Sequence, residues 1–244
     1  MAASLRVRTS LAAGGALFLY LCPSITAGIP ALRPLLRVRD RTESGEGVAL
    51  TFDDGPHPEG TPAVLELLAE AGAPATFFLV GEQVERYPAL AAEIAAAGHE
   101  IALHCHRHRH LLRLPPRAVR DDLERAHAAI VEATGREPRL YRPPYGVLNS
   151  AALAVARRRG WEPVLWRRDG KDWEARATAT SITERLTRRL GAGDVLLLHD
   201  ADYYSAPGSW RNTVAALPFL LEFLEQEGLR PTAILTESQT EGQA

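Results

Sequence analysis

The stretch Val48-Ala49-Leu50-Thr51-Phe52-Asp53-Asp54-Gly55-Pro56 decides the reading of the fold. It opens as a short, mostly apolar run of strand length and ends on two carboxylates before a Gly-Pro turn. From Thr61 to Ala71 the residues Val64, Leu65, Leu67 and Leu68 recur at helical spacing. The same unit then repeats. Ala75 to Leu79 precedes a helix ending at Ala97, Glu100 to Leu103 one from Arg117 to Thr134, and Leu140-Tyr141 one from Ser150 to Arg159. Pro163 to Trp166 precedes a helix from Ser181 to Leu190, Asp194 to Leu198 one from Thr213 to Glu227, and Arg230 to Ile234 closes the series. Seven strand-like runs alternating with helices predict parallel strands wrapped by helices, as an open doubly wound sheet or a closed barrel. Polar residues gather where these strands end: Asp53 and Asp54, His104 to His110, Arg142, Asp169 and Asp172, then His199 and Asp200. In a β/α barrel that is where reacting groups sit.

With 244 residues, 46% hydrophobic and a net charge of -2, the chain holds one domain of ordinary size and carries no field suited to nucleic acid. Its two cysteines, Cys22 and Cys105, form no disulfide framework, because one lies in an apolar run and the other in a histidine cluster. Residues 1–36 are expected to be a signal peptide or membrane anchor. The apolar run Leu11 to Ile29 follows Arg6 and Arg8, predicts membrane association, and places the domain in a secreted or membrane-anchored, extracytoplasmic setting. Arg33, Arg37, Arg39 and Arg41 after the run argue for the opposite orientation. Residues 37–47 are expected as a charged, glycine-containing linker, 48–236 as the catalytic barrel and 237–244 as a disordered tail. A monomer is the expected state.

Two motifs carry chemistry. Adjacent strand residues point opposite ways, so Asp53 and Asp54 can divide labour between a cation and a water; an Asp-rich turn capping the next helix is the plainer reading. The run His104-Cys105-His106-Arg107-His108-Arg109-His110 offers two imidazole pairs at offsets of four, His104 with His108 and His106 with His110. Spacing does not choose between the pairs, and a solvated, histidine-rich basic loop is the plainer alternative to ligation.

Together with three later segments, these motifs resemble the NodB-type polysaccharide deacetylases, carbohydrate esterase family four. Thr51-Phe52-Asp53-Asp54-Gly55-Pro56 is similar to that family's first motif, and Gly98-His99-Glu100-Ile101 leading to His104 and His108 to its second. Arg142-Pro143-Pro144-Tyr145-Gly146, Asp169-Gly170-Lys171-Asp172-Trp173 and Leu196-Leu197-Leu198-His199-Asp200 resemble the third, fourth and fifth. Five motifs in order are specific where any one is weak. The resemblance implies an α/β fold, a distorted β/α barrel with about seven parallel strands (the NodB homology domain). It also implies a hydrolase that removes N-acetyl groups from amino sugars of peptidoglycan, chitooligosaccharide or exopolysaccharide.

The resemblance further implies roles. Asp54, His104 and His108 would hold one divalent metal ion, zinc by default for nitrogen and oxygen ligands, with cobalt or nickel as substitutes. Asp53 would be the base and His199 the acid, with Asp169 or Asp172 raising the imidazole's pKa. Arg142 is expected to pair with Asp53. The backbone N–H of Tyr145 would assist at the oxyanion, Trp173 would wall the groove and Leu197 would line the acetyl pocket. Cys105 departs from the family's Ser or Thr, which predicts a looser histidine loop and weaker metal binding. Rival readings are a deformylase or deacylase of a lipid-linked amino sugar, a catalytically weak carbohydrate-binding wall protein, and a metal-sequestering protein using His104 to His110.

Overall fold

A computed structural model describes residues 18–235 together with Gly15. The expected tail at 237–244, and residues 11–14, 16 and 17 of the apolar run, lie outside the described residues. Seven strands form one continuous parallel path in the order β5 (Glu162–Pro163), β4 (Leu140–Tyr141), β3 (Glu100–Cys105), β2 (Thr76–Val80), β1 (Val48–Asp53), β7 (Val195–His199), β6 (Arg168–Asp169). An eighth, β8 (Pro231–Thr232), pairs in parallel with the start of β1. The result is a curled α/β half-barrel, as expected.

Helices cover the outside. After α1, over residues 18–28, come α2 (Gly60–Glu70), α3 (Gly81–Arg86), α4 (Pro88–Ala96), α5 (Pro116–Thr134), α6 (Ser150–Arg159), α7 (Ala179–Thr187) and α8 (Trp210–Gln226). The single helix expected to end at Ala97 is two. Pro88 forces Tyr87 out of helical geometry, to φ -132 and ψ 58, and the chain restarts beyond it.

The two-residue period of the strands sorts their side chains into two cores. Leu50, Phe52, Phe77, Leu79, Leu103, Leu196 and Leu198 face the helices, whereas Ala49, Phe78, Ala102 and Val195 fill the barrel interior. Continuing that alternation toward the carboxyl ends puts Thr51, Asp53, His104, Leu197 and His199 on the interior face. Every residue of β1 and β2 is buried, as a parallel sheet covered on both sides requires.

Strands β5 and β6 are the free edges of the path. Residues 37–47, expected as a linker, run along this seam: Arg39 N–H donates to Pro163 O at 2.8 Å, and Leu165 N–H donates to Arg39 O at 2.8 Å. Further on, Thr42 N–H donates to Gly193 O at 2.9 Å. Among the described residues no helix is long and apolar enough to cross a membrane.

Candidate active site and metal centre

At the carboxyl end of β1 the chain turns through Asp54, whose φ of 78 lies in the left-handed region that Asp tolerates better than most residues. A Cβ on the following Gly55 would collide with the carboxylate of Asp200, so only glycine fits this turn. The turn points Asp54 Oδ1 at two imidazoles, 3.5 Å from His104 Nε2 and 3.5 Å from His108 Nε2. One donor atom from each of the three lies within 4.8 Å of the others.

That donor set fits a cation. Asp54 Oδ1 is buried without a hydrogen-bond partner among the described residues. His104 Nδ1 donates to Arg142 O at 2.7 Å, which fixes the tautomer and leaves Nε2 with its lone pair toward Asp54. Burial pushes the His108 imidazole down to about 4, so it stands neutral. Burial alone would raise the Asp54 carboxyl, but the imidazoles of His104, His199 and His108 override it and bring it to about 2. A charged carboxylate beside the neutral His108 imidazole is the protonation pattern that ligation needs.

The loop bearing His108 is clamped from α5. Asp122, buried on that helix, accepts His106 N–H at 2.9 Å and Arg107 N–H at 3.3 Å, and pairs with Arg109 at 2.6 Å. Cys105 is fully buried beside this clamp, and burial pushes its thiol well up. Of the two histidine pairs left open by spacing, His104 and His108 converge on Asp54. The ring of His106 turns away toward Gly81 and Ala126, and His110 stacks on Tyr145 at 5.7 Å.

Asp53 faces the interior beside this cluster. Arg142 donates from Nη1 to Asp53 Oδ1 at 2.7 Å and to Thr51 Oγ1 at 2.7 Å. The guanidinium is fully buried over the Phe78 ring, 3.9 Å from its centre. Burial lowers its pKa, and the Asp53 carboxylate opposes that shift. On the other side His199 closes the group, with Nε2 at 3.9 Å from Asp54 Oδ2. Asp172 accepts both His199 Nδ1–H at 2.9 Å and His199 N–H at 2.6 Å, and is itself held by Thr213 at 2.8 Å. Burial would lower the His199 imidazole, but Asp172 above all, then Asp54 and Asp53, raise it to about 10. Between the two carboxylates expected near His199 the geometry separates Asp172 from Asp169, which instead pairs with Arg185 at 2.8 Å.

Asp53, Asp54, His104, His108 and His199 line a cavity of about 280 Å3. Tyr145, Trp173 and Leu197 are in its wall, with Trp173 meeting His199 edge-on at 5.4 Å. Tyr145 sits in the left-handed region at φ 59, its ring edge-on to His108 at 4.5 Å. Trp166, Tyr204 and Ser205 complete the wall; Tyr204 and Ser205 belong to the segment Tyr203 to Arg211, whose two tyrosines and tryptophan mark it in the sequence as a candidate groove lining or a surface loop, whereas Trp166 was not singled out. The aromatic pair Tyr203-Tyr204 just beyond β7 was the signal available for Tyr204. Asp122, a lone carboxylate on the buried stripe of α5, was the signal for the clamp.

Residues 40–164 match the family model described as polysaccharide deacetylase. A peptidoglycan-N-acetylglucosamine deacetylase of Bacillus cereus is 37% identical over 186 residues, covering 75% of this chain and 84% of that protein. A chitooligosaccharide deacetylase of a Bradyrhizobium species is 36% identical over 208 residues, covering 80% and 93%. Among solved structures, a peptidoglycan N-acetylglucosamine deacetylase in complex with a naphthalenyl N-hydroxybenzamide superposes with a TM-score of 0.77 at 28% identity. It covers 86% of this chain and 95% of that one. This chain belongs to the polysaccharide deacetylase family, carbohydrate esterase family four.

Proposed function

We propose that this protein is a metal-dependent hydrolase that removes the N-acetyl group from amino-sugar residues of a glycan. The observation that carries the reading is the convergence of Asp54, His104 and His108 on one point of the cavity wall, with Asp53 on one side and His199 on the other. The names of the relatives, peptidoglycan and chitooligosaccharide deacetylases, support an N-acetylglucosamine polymer as substrate.

A divalent cation, zinc by the donor set, would supply Lewis-acid polarisation of the acetyl oxygen and acidify a water. The chain's own groups do the rest. Arg142 holds Asp53 through Oδ1, which keeps Oδ2 for the proton of the attacking water. The backbone N–H of Tyr145 donates toward the developing oxyanion. His199 carries a proton at neutral pH, because Asp172 holds its Nδ1–H, and delivers it from Nε2 to the departing amine. Leu197 takes the acetyl methyl, while Trp173 and Tyr145 flank the sugar and limit water.

The test is acetate release from N-acetylglucosamine oligomers and from isolated cell wall, with and without chelator. Chelator-sensitive acetate from either supports the reading. No acetate from any of them, or acetate indifferent to chelation, overturns it.

A further inference from the structure

Eight large hydrophobic side chains are exposed among the described residues, and six of them, Phe18, Leu19, Ile25, Ile29, Leu32 and Leu35, fall between residues 18 and 35. Scattered singly they would need no explanation, but gathered on one short segment they form a patch. The segment is not a loose tether. Helix α1 presents Tyr20, Pro23 and Ala27 to the domain at helical spacing; Pro23 and Ala27 are buried. The Tyr20 hydroxyl donates to Leu114 O at 2.6 Å and accepts from Asn149 Nδ2 at 2.8 Å. Beyond the helix, Arg33 donates to Ala27 O at 3.0 Å and Trp166 O at 3.1 Å, and pairs with Asp40 at 2.7 Å. The face opposite these ties carries Phe18, Ile25 and Ile29.

We infer that this face docks on a lipid bilayer, lying in its interface rather than spanning it, as a fixed part of the catalytic domain. Charge and neighbouring sequence favour lipid over a protein groove. The first 39 residues contain five arginines, Arg6, Arg8, Arg33, Arg37 and Arg39, and no acidic residue, which suits anionic headgroups. The apolar run continues toward Leu11, so the patch is the domain-bound end of a longer apolar stretch. Among the described residues no helix is long enough to span.

The ties also set an orientation. Leu114 follows the His104 to His110 loop, Asn149 follows Tyr145 and Gly146, and Trp166 walls the cavity. A bilayer under the face therefore lies beside the mouth of the cavity. Resting on the deacetylase reading, the substrate is a glycan held at the membrane surface, lipid-linked or nascent, rather than one diffusing free.

The test is co-flotation of the full-length protein with vesicles of phosphatidylcholine alone and of phosphatidylcholine with phosphatidylglycerol. Its partner is the triple variant I25D/I29D/L35D, whose three sites are 62, 46 and 72% exposed and so leave packing intact. The wild type is expected to float, more with the anionic lipid, and the triple variant to bind at least about tenfold less. Melting temperature and acetate release from soluble chitooligosaccharide should match in the two proteins. A wild type that does not float overturns the inference, as does a triple variant that floats equally while deletion of residues 1–17 abolishes binding. Dimerisation of the wild type that the triple variant breaks, without vesicle binding, assigns the face to a second copy and also overturns it. Vesicle binding without acetate release from any substrate overturns the deacetylase reading alone.

Discussion

The imidazole of His108 lies almost flat against the phenol of Tyr204, ring centres 4.5 Å apart and planes 13° from parallel. The two histidines of the cluster are held by different means. His104 is fixed by its Nδ1–H bond to Arg142 O, whereas His108 Nδ1 is buried without a hydrogen-bond partner among the described residues. Its ring plane is set by packing instead, between Tyr204 on one side and the edge of Tyr145. Tyr204 is itself anchored, donating to Glu82 at 2.6 Å and accepting from Gln83 at 3.0 Å.

Tyr204→Leu should therefore weaken zinc or cobalt binding by about 10- to 100-fold, the range for loss of an orienting partner of a ligating histidine. Tyr204→Phe keeps the stack and should bind metal within a few-fold of wild type. Competition against a chromophoric chelator measures both. Equal affinity in all three proteins would show that the stack positions nothing.

Arg142 and Asp53 are a buried pair, so removing one leaves the other without compensation. Arg142→Met should cost about 3–5 kcal/mol of stability, read by denaturant titration of the metal-free protein. Asp53→Asn retains an oxygen for Arg142 but cannot take a proton. It should still fold and bind metal, with some loss of stability because the buried Arg142 charge is left unneutralised, while kcat falls by about two to four orders of magnitude. A kcat within tenfold of wild type would remove Asp53 as the base.

Much of this architecture was legible in the sequence because it rests on local pattern. Six of the seven runs became strands of the continuous path and the seventh, Arg230 to Ile234, became β8 beside β1, while the interior position of Asp53, His104 and His199 follows from a two-residue alternation along the strands. What was not legible depends on long-range contact. Strand β6 is two charged residues, Arg168 and Asp169, and acquires its identity only from pairing with Leu196 and Leu197. Residues 37–47 carry the charges and glycines of a linker, yet pair with the sheet across more than a hundred residues. Spacing alone leaves the two histidine pairs indistinguishable; the family resemblance selects His104 and His108, and it is the fold beyond β3 that turns these two toward Asp54 and the His106 ring toward Gly81. Tyr204 reaches His108 through a loop conformation that no periodicity encodes.

Asp172 determines when His199 carries its proton. With Asp172 in place the imidazole is raised to about 10, so its contribution as an acid persists from neutral pH until it deprotonates near that value. Asp172→Asn removes the largest interaction opposing the effect of burial, and the pKa must move down. The alkaline limb of kcat should shift toward neutrality by at least about one pH unit. A pH profile over 6 to 10.5 checks this, and an unmoved alkaline limb would detach the limb from His199.

Cys105 and Asp122 make competing claims on the histidine loop, and a paired substitution ranks them. The buried thiol is a weak hydrogen-bond partner, whereas Asp122 takes two backbone N–H groups and the Arg109 guanidinium. Asp122→Ala strands the buried His106 N–H, at a cost of about 1–3 kcal/mol, and frees the segment that carries His108. Metal affinity should fall at least about tenfold in Asp122→Ala, and change by no more than about threefold in Cys105→Ser. If Cys105→Ser tightens metal binding by more than Asp122→Ala loosens it, the hydroxyl at position 105 rather than the α5 carboxylate governs the loop.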